Sequence, residues 1–256
     1  MHYLRAKKSL GQHFLVDRNI AEKIVSCLKM QDISEVLEIG PGSGILTELL
    51  LQRKDIKTTV IEIDKEYSEL IKEKFPQLSD RVLNEDFLKF DINKHYSTVP
   101  VAVIGNLPYN ISGRIFFRFL EYKDHIREAV VMVQKEVADR IRAVPGSKTY
   151  GILSVLVQSY YHVEYLFTVG ENVFMPKPKV KSAVIRLART PDSDPECNEA
   201  SYFKVVKMAF NQRRKILRNS LKEIIRPGIE YEMLTKRPEQ LSIEQFCDLT
   251  NIISRT

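Results

Sequence analysis

Val36-Leu37-Glu38-Ile39-Gly40-Pro41-Gly42-Ser43-Gly44 joins a short apolar run to a glycine-rich turn, and Ile45 to Gln52 continues from it with helical character. A strand that ends in such a turn and passes into a helix opens a βαβ unit. Glycines there let the backbone turn sharply and let a ligand approach with no Cβ in the way. A bare strand-to-helix turn would use the same residues, so the spacing has to discriminate. A dinucleotide fold prefers Gly-x-Gly-x-x-Gly, with the pyrophosphate on the helix N-terminus. Here Gly40, Gly42 and Gly44 alternate, and an acid, Glu38, precedes them. That suits a ligand with no phosphate and a cationic amino-acid end.

Outward from this turn the alternation continues. Thr59 to Ile63, Val82 to Asn84, Val101 to Gly105 and Ala129 to Gln134 read as strands. Lys65 to Phe75, Ser112 to Leu120 and Lys135 to Arg142 read as helices. Upstream, Asp17 is placed to cap a helix whose Ile20, Ile24, Cys27 and Leu28 share a face. Such alternation predicts parallel strands joined by right-handed crossovers, with helices on both faces. The order changes at Tyr161, Val163, Tyr165, Phe167 and Val169, which alternate at strand period. Val180 to Leu187 follows the stiff stretch Phe174-Met175-Pro176-Lys177-Pro178, and two strands without a helix between them predict an antiparallel closing hairpin. Thr190-Pro191-Asp192-Ser193-Asp194-Pro195-Glu196 reads as a linker, and the remainder as helical. The expectation is an α/β chain: a Rossmann-like, mostly parallel sheet with an antiparallel final strand over residues 1–189, a linker at 190–200, and a small all-helical domain at 201–256.

A chain of 256 residues that is 44% hydrophobic and 28% charged is a folded globular protein rather than a disordered one. No apolar run approaches a membrane span. The basic start, with Arg5, Lys7 and Lys8, lacks the apolar stretch of a signal peptide, which points to the cytoplasm. Cys27, Cys197 and Cys247 are far apart and the five histidines are dispersed, so neither a disulfide framework nor a metal site is expected. The charge is concentrated. Lys204, Lys207, Arg213, Arg214, Lys215, Arg218, Lys222 and Arg226 face a single acid, Glu223, within a chain whose whole surplus is +6. Lys215, Arg218, Lys222 and Arg226 recur at helical spacing opposite Leu217, Leu221, Ile224 and Ile225. A solvated helix face would look the same, but the near absence of acids favours a polyanion.

Two more acids follow strand ends. Glu62, in Val60-Ile61-Glu62-Ile63-Asp64, is placed to accept the hydroxyls of a ribose, and Asp86 to read an adenine amine. Asn106-Leu107-Pro108-Tyr109 ends the fourth strand. Asn and Pro are common turn residues, yet the chemistry allows a sharper reading. Adenine's amino nitrogen is a poor nucleophile because its lone pair is delocalised into the ring. Two acceptors on its N–H groups, the Asn106 amide oxygen and the Leu107 carbonyl, favour a pyramidal nitrogen whose lone pair points at the methyl of a sulfonium donor. Pro108 fixes the chain direction. Tyr109 offers a ring for stacking, with Phe174 as a candidate for the opposite face. The base has to be unpaired or flipped outward to enter such a slot.

These residues resemble the ribosomal RNA adenine dimethyltransferase family, most closely its bacterial small-subunit branch. The resemblance rests on Lys8-Ser9-Leu10-Gly11-Gln12-His13-Phe14-Leu15, the Glu38 to Gly44 turn with Leu46-Thr47, Glu62-Ile63-Asp64, Asn106 to Ser112 and Phe174 to Ser182. Phe210 to Lys215 and Arg237 to Ser242 extend it to nearly the whole chain. It implies a class I methyltransferase fold and S-adenosylmethionine as cofactor. It also implies two methyl transfers onto each of two adjacent adenosines near the 3′ end of small-subunit (16S) ribosomal RNA. His13, Leu15, Gly40, Gly42, Glu62, Asp86 and Asn106 are then the expected cofactor contacts. At the position of His13 the family often carries Asn. Arg213, Arg214, Lys215, Arg218, Lys222 and Arg226 become the expected RNA contacts, in a monomer acting on a pre-ribosomal particle. Two rivals remain open from sequence: a large-subunit RNA methyltransferase conferring antibiotic resistance, and a non-catalytic assembly factor.

Overall fold

A computed structural model describes residue 7 and residues 10–97, 99–190, 194–226 and 230–255. Arg5, Lys8 and Ser9 of the basic start, and Pro191, Asp192 and Ser193 of the expected linker, lie outside the described residues.

In chain order the elements are β1 (Phe14–Leu15), α1 (Arg18–Ser26), β2 (Glu35–Ile39), α2 (Ile45–Leu50), β3 (Lys57–Ile61), α3 (Lys65–Lys74), β4 (Val82–Leu83), α4 (Ile92–Tyr96), β5 (Val101–Asn106), α5 (Ser112–Glu121), β6 (Ile126–Gln134) and α6 (Lys135–Ile141). There follow α7 (Ile152–Tyr160), β7 (Tyr161–Val169), β8 (Phe174–Met175), β9 (Ser182–Arg189), α8 (Glu199–Asn211), α9 (Leu217–Ser220) and α10 (Ile243–Arg255). The chain divides into two compact units, Met1–Ala138 with Glu164–Arg189, and Asp139–Val163 with Thr190–Thr256. The second unit therefore draws on a segment before the linker as well as the one after it.

The seven-stranded sheet has the order β4-β3-β2-β5-β6-β9-β7. β2 pairs in parallel with β3 and β5, β3 with β4, and β5 with β6. β9 enters beside β6 in the opposite sense. The central strands are buried on both faces, as Val101, Ala102, Val103 and Ile104 illustrate, which is why they read as continuous apolar runs. A second, two-stranded ribbon pairs β1 with β8 in antiparallel fashion, setting Leu15 against Phe174. Strands this short leave no periodic signature, so the ribbon was not expected.

Local chemistry explains where elements start. Asp17 caps α1 by accepting from the Ile20 N–H at 3.0 Å, and Asp64 caps α3 through the Glu66 N–H. Ser242 and Gln245 form the expected reciprocal box at the start of α10, at 3.0 and 3.2 Å. Behind α1, the buried Glu128 carboxylate of β6 accepts from the backbone N–H groups of Lys29 and Met30 at 3.0 and 2.9 Å. The Arg186 guanidinium of β9 donates to the same carboxylate and, at 2.6 Å, to Glu164.

In the second unit Tyr202 of α8 shares a buried hydrogen bond of 2.8 Å with Ser159 of α7. Phe210 meets Tyr150 edge-on and Phe246 at a tilt. α7 was not anticipated. It is buried almost throughout its length, so its apolar residues run on without the two-faced pattern that marks a surface helix. The expected helix through Lys215 to Arg226 requires correction. α8 ends at Asn211, α9 holds a single turn, and residues 221–225 form turns closed by Ile224 and Ile225 N–H groups on the Leu221 carbonyl. Pro227 follows in the sequence, and the residue before a proline is pushed away from helical geometry.

Candidate active site

Parallel strands end at a common edge, and residues just past each end converge there. A cavity of about 270 Å³ opens at that edge, close to the lower end of ligand-site volumes. It is lined by Gly40 and Gly42 after β2, Glu62 after β3, Asp86 after β4, and Asn106, Leu107, Pro108 and Tyr109 at the end of β5. His13 joins them from the segment before β1.

The two glycines serve different ends. Gly40 has φ +65°, and a Cβ there would meet nothing within 4 Å, so its bare backbone faces open space. Gly42 has φ +54°, and a Cβ would lie 2.6 Å from Cδ1 of Phe14, so that glycine is what lets the amino-terminal segment close over the turn.

The acids separate by environment. Glu38 does not reach the cavity: it is fully buried, and its carboxylate accepts the Thr47 hydroxyl of α2 at 2.7 Å, tying strand to helix across the turn. Its other oxygen has no partner, and burial pushes its pKa up to about 7. The sequence expectation that Glu38 faces a cationic ligand end gives way to this structural role. Glu62 does line the cavity. Desolvation raises its pKa to about 7 against the opposing effect of the Asp64 N–H, which donates to it at 2.8 Å. Asp86 accepts from the Leu88 N–H at 2.9 Å, which holds its carboxylate at the mouth.

Asn106 has a fixed orientation. Its Nδ2 donates to the His13 carbonyl at 2.6 Å, and its Oδ1 is buried with no hydrogen-bond partner. The ring of His13 lies 5.2 Å from that of Tyr109 at 31°. Nδ1 of His13 is 2.7 Å from the Pro176 carbonyl; a carbonyl only accepts, so Nδ1 carries the proton. The Tyr109 hydroxyl shares a 2.6 Å hydrogen bond with Ser182.

Leu15 and Phe174, both expected at the site, do not line the cavity. They are 3% and 4% exposed, pair with each other across the β1–β8 ribbon, and belong to the core beneath it. The ribbon instead carries the preceding residues, His13 and Phe14, over the glycine turn. Phe174 is thus packed in the core here rather than facing the cavity. Residues missed from sequence include Ile63, whose side chain is 52% exposed although apolar, and Arg114 of α5. A bulky aliphatic residue between two acids, Glu62 and Asp64, was the available signal for Ile63.

In the second unit Arg214, Lys215, Arg218, Lys222 and Arg226 are exposed. Arg213 differs. It donates to the Ser147 carbonyl at 3.3 Å and lies 3.9 Å from Glu239. Arg218 lies in α9 and the other basic residues in the turns on either side of it, rather than along one helix face.

The cavity suits S-adenosylmethionine. Glu62, Glu85 and Asp86 at its wall would repel a pyrophosphate but can accept from ribose hydroxyls, an adenine amine or an ammonium group. The open face of Gly40 leaves room for the ligand backbone, and the unpartnered Asn106 Oδ1 awaits a donor.

The model of the family described as ribosomal RNA adenine dimethylase matches residues 3–255. The chain is 53% identical to the ribosomal RNA small subunit methyltransferase A of Flavobacterium johnsoniae, over 99% of this chain and 97% of that one. It is 52% identical to the protein of the same name from Cytophaga hutchinsonii, covering 99% of each. Among solved structures, a dimethyladenosine transferase from Plasmodium falciparum shares the fold at a TM-score of 0.79 with 24% identity, over 95% of this chain and 98% of that one. The 23S rRNA methyltransferase ErmE aligns at 0.67 with 27% identity, over 93% and 99%. With the strand order, the acid-lined cavity and the Asn106 to Tyr109 turn already in place, these matches make the chain a member of the ribosomal RNA adenine dimethylase family, enzymes of the S-adenosylmethionine-dependent methyltransferase fold.

Proposed function

We propose that this chain dimethylates the N6 amines of two adjacent adenosines near the 3′ end of small-subunit ribosomal RNA, acting as a monomer on a pre-ribosomal particle in the cytoplasm. The observation that carries the reading is the committed amide of Asn106. With Nδ2 given to the His13 carbonyl, Oδ1 can only accept, and an exocyclic amine is a donor. Accepting its N–H at Oδ1, with a second acceptor at the Leu107 carbonyl, turns the nitrogen lone pair out of the ring plane. Glu62 and Asp86 would hold the cofactor's ribose and adenine, and Gly40 would give its amino-acid end access to backbone. When bound, the cofactor supplies an electrophilic methyl group. The protein's share is alignment of an in-line displacement and exclusion of water; the amine releases its proton without a strong base. Tyr109 provides the stacking face, and Arg214, Lys215, Arg218, Lys222 and Arg226 supply phosphate contacts that position without reading sequence.

Small-subunit RNA is preferred over large-subunit RNA because identity to the small-subunit enzymes is about twice that to ErmE. The test is incubation with isotopically labelled S-adenosylmethionine and unmethylated small subunits, followed by mapping of modified nucleotides. Two dimethylated adjacent adenosines near the 3′ end are expected. Label confined to large-subunit RNA, or no transfer despite tight RNA binding, would replace the proposal with one of its rivals.

A further inference from the structure

We infer that Ser182 is a positioning residue for methyl transfer, its hydroxyl fixing the plane of the Tyr109 ring on which the target base stacks; the inference rests on the stacking role proposed for Tyr109. Tyr109 lies past the end of β5 in a turn, so no ladder of backbone hydrogen bonds holds its ring. The hold comes from a side chain at the start of β9, 73 residues further along the chain. The Tyr109 hydroxyl and Ser182 Oγ are 2.6 Å apart, and Ser182 is fully buried.

The topology explains how that serine reaches the site. β5, β6 and β9 are neighbours, with Asn106 opposite Met132 and Ser182 opposite Gln134. A strand parallel to the rest would begin at the far edge of the sheet. β9 runs antiparallel, so its first residue, Ser182, stands where β5 and β6 end. A hydroxyl anchored in a sheet is a rigid partner, whereas one on a loop would move with the ring it is meant to hold. Burial raises the pKa of the Tyr109 phenol, which keeps the proton that this hydrogen bond shares.

The approach to β9 holds the neighbouring ring as well. The Pro176 carbonyl accepts from His13 Nδ1 at 2.7 Å, and the two rings meet at 5.2 Å. One segment, from Pro176 to Ser182, therefore sets both rings that border the slot. Neither Ser182 nor Pro176 lines the cavity itself, so Ser182 acts through Tyr109 rather than on substrate. Because transfer depends on alignment, a ring free to rock would lower the rate of the chemical step more than binding.

Three variants test this: Ser182→Ala, Tyr109→Phe, which keeps the ring and drops the hydroxyl, and the two combined. Each single change is expected to lower kcat roughly tenfold, the scale of one lost hydrogen bond to an aligned group. The KM for unmethylated small subunits and the calorimetric affinity for S-adenosylmethionine should hold, and the double variant should be no slower than either single one. In the protein without cofactor, 3-fluorotyrosine at position 109 should report faster ring flipping in Ser182→Ala by fluorine NMR. Wild-type kcat in either single variant, or losses that multiply in the double variant, would overturn the inference. Should Ser182→Ala fail to fold, Tyr109→Phe alone decides, since it leaves Ser182 in place. Tyr109→Ala separates the two levels: full turnover there sinks the stacking role and this inference with it. Loss in Tyr109→Ala with wild-type turnover in Tyr109→Phe sinks only the role of Ser182.

Discussion

Single residues in this enzyme carry opposite demands on charge. Glu38 lies on β2 and Glu62 just past the end of the neighbouring β3, both desolvated and both with pKa values raised to about 7 from an ordinary 4.5. A native state that holds protons more tightly than the unfolded chain loses stability as pH rises. The contribution of Glu38 is therefore fully present below about pH 4.5 and is withdrawn between there and about pH 7. At a shift of about 2.5 units it amounts to at most about 3 kcal/mol. Chemical denaturation of the cofactor-free protein at pH 5 and pH 7.5 should show this loss, and Glu38→Gln should reduce it. An equal pH slope in the variant would show that Glu38 does not contribute. Glu62 titrates in the same window and contributes with the same sign.

At the scale of elements, the Glu128–Arg186 pair shows how a buried ion pair can fasten a sheet to the loop behind a helix. Glu128 and Arg186 are 2% and 8% exposed, and the carboxylate also takes the N–H groups of Lys29 and Met30. Removing one partner strands a buried charge, which typically costs about 3–5 kcal/mol. Arg186→Ala should lose stability on that scale in urea unfolding, while Lys57→Ala, whose ion pair with Glu35 is exposed on the lysine side, should lose less than about 1 kcal/mol. The same contrast governs what the sequence disclosed. β5 was legible because a strand buried on both faces reads as an apolar run, β2 and β3 because Val36, Leu37, Val60 and Ile61 form short apolar runs that end in an acid or a glycine turn, and α1, α3 and α10 because an acid or a capping box marks their starts. The β1–β8 ribbon was not legible, since two residues a side make no period. α7 was hidden by uniform burial. The basic stripe at Lys215 to Arg226 misled because cations at helical spacing describe a helix only where the backbone continues, and here it does not. At the site, Glu62, Asp86 and Asn106 could be placed from their positions at strand ends. Glu38 and Phe174 could not, because burial depends on how the chain folds back: Glu38 is met by Thr47 across the turn, and Phe174 by Leu15 from the far end of the chain.

For the molecule as a whole, the concentrated basicity is the proposed link to RNA. If Lys215, Arg218 and Lys222 each neutralise a phosphate, replacing all three with Ala should reduce the slope of log affinity against log salt by about 2. Fluorescence anisotropy with the 3′ region of small-subunit RNA across a salt series measures it, and an unchanged slope would assign those cations to solvent. Arg213→Ala should behave differently, because Arg213 is engaged with Ser147 and Glu239. Its loss is expected to lower stability and leave the salt slope nearly as it was.

The hydrogen bond from Asn106 to the carbonyl of His13 makes the site tolerant of substitution on one side. That oxygen belongs to the main chain, and every amino acid brings one. A side chain other than histidine at position 13 would therefore leave the acceptor on Asn106 with the same aim. What that hydrogen bond constrains is the path of the peptide around residue 13, not the identity of the side group it carries.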